Sequence, residues 1–181
     1  MSENKLHTKK LSVREICFIA IFTAIIAVCA QIAIPMPGGV PFTLQTWAIS
    51  LAGVLLGAKH GVIAVLAYIL LGAVGVPVFA NFQGGLGIIL GRTGGFILSF
   101  PLLVLIVGLG AKRQRLIWLI AALLIGTVVN LFTGMVYFSF VMGVNLPTAF
   151  VLAVRPFLLP ETLRIIFVTI VCPRIKRALD K

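Results

Sequence analysis

TLQTWAISLAGVLLGAKHGVIAVLAYILLGAVGV, residues 43–76, runs for 34 residues with Lys59 as its one charged side chain. A helix needs about 20 apolar residues to cross a bilayer, so the run is too long for one crossing. Gly57-Ala58-Lys59-His60-Gly61 interrupts it with turn-forming glycine and a charge. The stretch therefore reads as two short spans, residues 43–56 and 62–76, turned on that pentapeptide. Two apolar helices joined this tightly require lipid around them, and the predicted fold class is an all-α polytopic membrane protein.

The rest of the chain extends the pattern. Of its 181 residues, 61% are hydrophobic and 10% charged, against roughly 45–50% and about 25% in soluble domains. Mean hydropathy is +1.20, spread along the chain, which rules out a soluble globule. A polar, basic stretch over residues 1–15 precedes an apolar segment over 16–34. A signal peptide has an apolar core of only about 7–15 residues. Val28-Cys29-Ala30 faintly resembles a cleavage site, but the chain returns repeatedly to the membrane, so a retained first helix is expected. Pro35, Pro37 and Pro41 with Gly38 and Gly39 end it, because proline lacks the donor a helix ladder needs. Residues 77–93 form a glycine-rich loop with Asn81, Gln83 and Arg92 as polar members. Further spans are predicted over 94–109, 116–142 and 156–172, with a loop over 143–155. Six spans leave only connections and tails, so residues 1–181 form one transmembrane domain.

Orientation follows from Lys and Arg, which accumulate in cytoplasmic loops. With the N-terminus inside, twelve of the fifteen fall on inner segments and only Arg92, Arg155 and Arg164 on the outer side. Both termini, the basic stretches 1–15 and 173–181, are thus expected in the cytoplasm, with the chain multi-pass in the cell membrane.

Several functions are excluded. The net charge of +11 does not imply nucleic acid, since the basic residues sit between apolar runs rather than on one solvated face. Cys17, Cys29 and Cys172 lie in apolar segments without metal-ligand spacing and read as packing residues, and His7 and His60 have no partner cluster. Gly84-Gly85-Leu86-Gly87 lacks the strand and helix that give a dinucleotide fingerprint its meaning. No Walker A sequence and no Ser, His and acid set occur, so no enzyme, metal or cofactor is expected. Binding or transport is left.

Glu161 is the one carboxylate at membrane depth, where an ionisable group needs a functional or structural reason. Arg164, three residues on, shares its helical face. The two either neutralise each other or belong to a site. Arg92, the 81–95 loop and the N-terminal end of the last span all fall on the outer side. Together the three arginines exceed Glu161 by two positive charges, which suits an anionic ligand. Arg155 also fits an interfacial snorkelling role. The glycines from Gly84 to Gly95 permit backbone either to approach a ligand or to pack closely on a helix; both readings are open.

Four separated motifs resemble a known family: Pro41-Phe42-Thr43-Leu44-Gln45-Thr46, Leu71-Gly72-Ala73-Val74-Gly75-Val76-Pro77-Val78-Phe79-Ala80, Gly91-Arg92-Thr93-Gly94-Gly95-Phe96 and Pro156-Phe157-Leu158-Leu159-Pro160-Glu161-Thr162-Leu163-Arg164. In this order they are similar to the BioY family, the biotin-specific S components of energy-coupling factor (ECF) transporters. The resemblance implies a six-helix substrate-binding subunit that holds one biotin in an outward pocket. It also implies a membrane-embedded coupling (T) subunit and two cytoplasmic ATPase subunits as partners. The family pattern has proline where this chain has Arg92, and Asp and Lys where it has Glu161 and Arg164; in the latter pair charge sign is kept and reach changes.

Biotin's carboxylate wants a cation, for which Arg92 or Arg164 serves. Its ureido ring offers two N–H donors and one acceptor, which Glu161 and Asn81 can satisfy. Gln45 and Gln83 are further candidates, and Phe79 or Phe82 would pack on the apolar body. The alternative function is a self-sufficient secondary transporter or channel for a small organic anion. On the first helix, Ala20 and Ala24 are spaced to let another helix approach closely. Spacing alone fits packing within the bundle as well as a partner; the resemblance implies that they dock the coupling subunit.

Overall fold

The computed structural model describes residues 11–179, and of 173–179 the backbone alone. The terminal segments expected in the cytoplasm thus lie largely outside the described residues. The fold is all-α. Helix α1 (Val13–Gln31) opens with a capping box: Ser12 Oγ accepts from the Glu15 amide at 3.2 Å, and Glu15 Oε2 accepts from the Ser12 amide at 2.7 Å. These bonds satisfy amides that have no intrahelical partner. The proline-rich segment after α1 is not a plain loop. Its ends pair as β1 (Ala33–Ile34) and β2 (Phe42–Thr43), antiparallel with Ala33 opposite Thr43.

Helix α2 (Gln45–Ala73) contains both middle spans, as the turn pentapeptide predicts. At Gly57 the backbone takes φ +76° and ψ 177°, a region open to glycine and strained for other residues. The helix folds back there. Gln45 Nε2 donates to Tyr68 Oη at 2.7 Å across 23 residues, which a straight helix would separate by about 35 Å. A four-residue helix, α3 (Leu86–Ile89), interrupts the glycine-rich loop; then follow α4 (Gly94–Lys112) and α5 (Leu116–Met142). The segment expected as a loop over 143–155 is mostly helical. Asn145 caps α6 (Leu146–Ala153) by accepting from the Thr148 amide at 3.0 Å, with Pro147 in its first turn, where proline's missing donor costs nothing. The last helix is α7 (Leu158–Leu179). Six membrane-directed segments result: α1, the two arms of α2, α4, α5 and α7.

Helices α2 and α4 pack at the centre. Gly108 makes this possible, because a Cβ there would run into the backbone of Ala58. Their buried residues include Ile49, Val65, Leu103, Val104 and Val107, with Leu123 of α5 and Val168 of α7 beside them. The outer surface is as apolar as the core: Val13, Ile16, Val28, Leu70, Ile117, Val128, Phe132 and Phe140 are all exposed. Water would not tolerate such continuous apolar cover, whereas lipid does. Helices α1, α2, α4 and α5 are each long and apolar enough to cross a membrane.

One end of the bundle gathers the basic connections. His60 Nε2 lies 3.5 Å from Glu15 Oε1, which brings the start of α1 beside the Gly57 turn, and the Gly108 contact brings the end of α4 there too. Lys59 and Lys112-Arg113-Gln114-Arg115 therefore share this end.

Candidate functional site

At the other end, the first turns of α2, α4 and α7, the later half of α5 and the loops 39–43 and 79–93 enclose a cavity of about 420 Å³. Ligand pockets span roughly 300–1,000 Å³. Phe42, Phe79, Phe96, Phe100 and Phe157 give it an aromatic wall, and Gln45, Thr46, Asn81, Gln83, Arg92, Asn130 and Glu161 carry its polar groups. Phe79 is buried, edge-on to Tyr68 with ring centroids 5.6 Å apart. Phe82 is 71% exposed and lies outside the cavity wall.

Glu161 and Arg164 do pair, but they play different parts. Glu161 sits in the first turn of α7, where the helix dipole favours a carboxylate. Its Oε1 accepts from Thr46 Oγ1 at 3.1 Å, and its Oε2 lies 2.7 Å from Arg164 Nη2. Arg164 is fully buried and does not line the cavity. Nη1 donates to the Thr46 carbonyl at 3.2 Å and to Ser50 Oγ at 2.9 Å; Nη2 also donates to Thr127 Oγ1. The guanidinium thus ties α7 to α2 and α5 behind the cavity wall, and Glu161 presents its carboxylate at the wall. A charge so buried persists only when paired and hydrogen-bonded.

Arg92 is the opposite case. It is exposed, lines the cavity, and lays its guanidinium against Gly39, where an added Cβ would come within 2.6 Å of Nη1. Among the described residues it makes no hydrogen bond or ion pair, so its fork is free for a ligand anion. Arg155 is exposed and apart from the cavity. Asn81 takes a left-handed conformation, φ 57° and ψ 37°, on a loop held by Gln31. That side chain accepts from the Phe82 amide at 2.8 Å and donates to the Val78 carbonyl at 3.2 Å. Gln45 is largely occupied, donating to Tyr68 and accepting from Thr43 Oγ1 at 3.4 Å; Gln83 is exposed at the rim.

The glycines divide between both readings: Gly87 and Gly91 line the cavity, while Gly94 and Gly95 pack against Tyr137. Ala20 and Ala24 are exposed on α1, whose buried face is Ile19, Thr23, Ile26 and Ala30. Cys17, Cys29 and Cys172 are free thiols in separate places. Sequence reasoning missed Gln31, Thr46, Ser50, Thr127 and Asn130, since uncharged polar residues in apolar helices carry little signal until their partners are known.

Six membrane-directed helical segments, four helices of which meet around a cavity with a cation at its rim and an anion in its wall, define an integral membrane protein that binds a small molecule. Comparison with known sequences makes the assignment specific. The sequence model of the BioY family matches residues 3–181, and the chain belongs to that family. A probable biotin transporter BioY of Pyrococcus horikoshii is 38% identical over 166 residues, covering 92% of this chain and 98% of that one. The biotin transporter BioY of Thermotoga maritima is 36% identical over 165 residues, covering 91% and 96%. A crystal structure described as the S-component for biotin from an ECF-type ABC transporter superposes with a TM-score of 0.83 at 26% identity, covering 98% of this chain and 95% of that one. These relatives are transporters and not enzymes, and they do not favour a self-sufficient anion channel.

Proposed function

We propose that this chain is the biotin-binding S component of an ECF-type transporter and captures the vitamin in the cavity between α2, α4, α5 and α7. The observation that carries this reading is the division of charge across one cavity of about 420 Å³: a free guanidinium, Arg92, at its rim and a fixed carboxylate, Glu161, in its wall. Biotin divides its chemistry the same way. The carboxylate of its chain meets Arg92, a ureido N–H donates to Glu161, and the bicyclic body lies on Phe79 and its aromatic neighbours. Asn81 and Gln83 supply polar groups from the rim loop, and Gln45 from the start of α2. Arg164 serves the ligand through Glu161.

ATP-driven transport requires partners, because the chain carries no Walker A sequence. A membrane-embedded coupling subunit docks on the exposed Ala20 and Ala24 face of α1, and two cytoplasmic ATPases supply the energy. The clustering of Lys59 and residues 112–115 at the end away from the cavity supports a cytoplasmic basic end and an outward pocket. No resident cofactor is needed for capture; biotin is cargo.

Calorimetry of the detergent-purified chain against biotin and biotin methyl ester tests the reading. Saturable binding of one biotin, weakened strongly by esterification, is expected. Absence of biotin binding to folded protein would overturn it.

A further inference from the structure

Asn130 lies on α5, 96% buried as the complement of its 4% exposure, and faces the cavity. Its orientation can be deduced from donors and acceptors alone. Nδ2 donates to the Phe96 carbonyl at 3.1 Å and to Ser99 Oγ at 2.7 Å, while Ser99 Oγ itself donates to the Phe96 carbonyl at 2.9 Å. A carbonyl oxygen only accepts, so the amide nitrogen must face Phe96. The Ser99 proton is committed to the same carbonyl, so Ser99 Oγ must accept the second amide proton. The amide nitrogen of Asn130 is thereby committed to partners on α4. What remains is Oδ1, which accepts no hydrogen bond among the described residues and is not sealed from the cavity. The side chain cannot turn over to offer a donor without breaking both bonds. Toward the cavity it offers a fixed, neutral acceptor.

One turn earlier on α5, Thr127 holds Arg164, which pairs with Glu161. The same helical face thus presents Asn130 to the cavity and braces the carboxylate that lines it. Building on the biotin reading, we infer that Asn130 is a second ureido acceptor and a specificity-determining residue: its Oδ1 takes one ureido N–H and Glu161 takes the other. Two acceptors for two donors make the site select an unsubstituted cyclic urea over other apolar carboxylic acids. A neutral acceptor in addition to an anionic one also avoids placing two carboxylates in one cavity, where close approach would drive one to protonate.

The test compares biotin with its two ureido N-methyl derivatives, each methylated at one nitrogen, by calorimetry on wild-type protein and on Asn130→Leu and Asn130→Ala. Loss of the carboxamide orphans no donor, because Ser99 keeps its bond to Phe96. Wild-type protein should bind biotin and discriminate against methylation at both nitrogens. Each variant should bind biotin about tenfold more weakly while losing discrimination at one nitrogen and keeping it at the other. If wild-type protein binds biotin but accepts methylation at either nitrogen freely, only one acceptor meets the ring and the inference falls, whether or not the variants fold. Equal losses for biotin and both derivatives would make Asn130 structural and overturn it as well. Failure of wild-type protein to bind biotin at all would instead remove the function on which it rests.

Discussion

Arg164→Met isolates the cost of the buried ion pair, because the structure shows where each orphaned group would turn. Ser50 Oγ already donates to the Thr46 carbonyl at 2.9 Å, and Thr127 Oγ1 to the Leu123 carbonyl at 2.7 Å. Both hydroxyls and the Thr46 carbonyl therefore keep a partner when the guanidinium leaves. The penalty falls on Glu161, left with the Thr46 hydroxyl at 3.1 Å and 6% exposure. Breaking a buried pair from one side costs about 3–5 kcal/mol. The cavity gives this carboxylate some access to water, which points to the lower end, about 3 kcal/mol. At about 2–4 °C per kcal/mol for a chain of this size, the midpoint of thermal unfolding falls by about 6–12 °C. Glu161→Leu combined with Arg164→Met should regain most of that, since an apolar pair of similar volume replaces the ion pair at little net cost. The double variant should still bind biotin at least tenfold more weakly, having lost an anionic acceptor worth about 1.5–3 kcal/mol. Thermal unfolding in detergent and calorimetry on the three proteins read both quantities. Native affinity in a stable double variant would refute the role of Glu161 in binding and leave the pair purely structural.

Arg92→Gln should weaken biotin by about 10- to 100-fold, as expected for a lost charge-assisted bond, yet leave biotin methyl ester nearly unaffected; equal losses for both ligands would place the carboxylate elsewhere. Ala20→Trp or Ala24→Leu should abolish co-purification with the coupling subunit and uptake by the whole transporter, with biotin affinity of the isolated chain unchanged. Loss of binding and assembly together would show that this face packs internally. Gln31→Leu removes the side-chain bonds to the 78–82 backbone, so biotin should dissociate faster in stopped-flow measurements while the association rate holds; an unchanged dissociation rate would show that the loop does not retain the ligand.

The membrane fold was legible because lipid imposes a crude, strong rule: about 20 apolar residues per crossing, with breaks only where glycine, proline or charge allows. The Gly57 turn illustrates this, since a charged side chain flanked by Gly57 and Gly61 inside a 34-residue apolar run has few other readings. Helix α6 escaped because eight residues are too short for a span, and its Asn145 cap and Pro147 resemble loop chemistry in sequence. Within the site, Glu161 and Arg92 stood out as rare charges. Arg164 was equally conspicuous, but its burial behind the wall depends on Ser50 and Thr127, which lie 114 and 37 residues away. Asn130 resembled any amide in an apolar helix until Ser99 and Phe96 fixed its orientation. Charge announces itself in one dimension, whereas the direction of a neutral hydrogen-bonding group is set by long-range partners.

A crystal structure of the chain with biotin bound tests the central claim most directly, because Arg92 and Glu161 give the cavity two chemically distinct groups. The carboxylate should lie within hydrogen-bonding distance of the Arg92 guanidinium, and a ureido N–H should lie within hydrogen-bonding distance of Glu161. Biotin seated the other way round, or outside the cavity between α2, α4, α5 and α7, would contradict it.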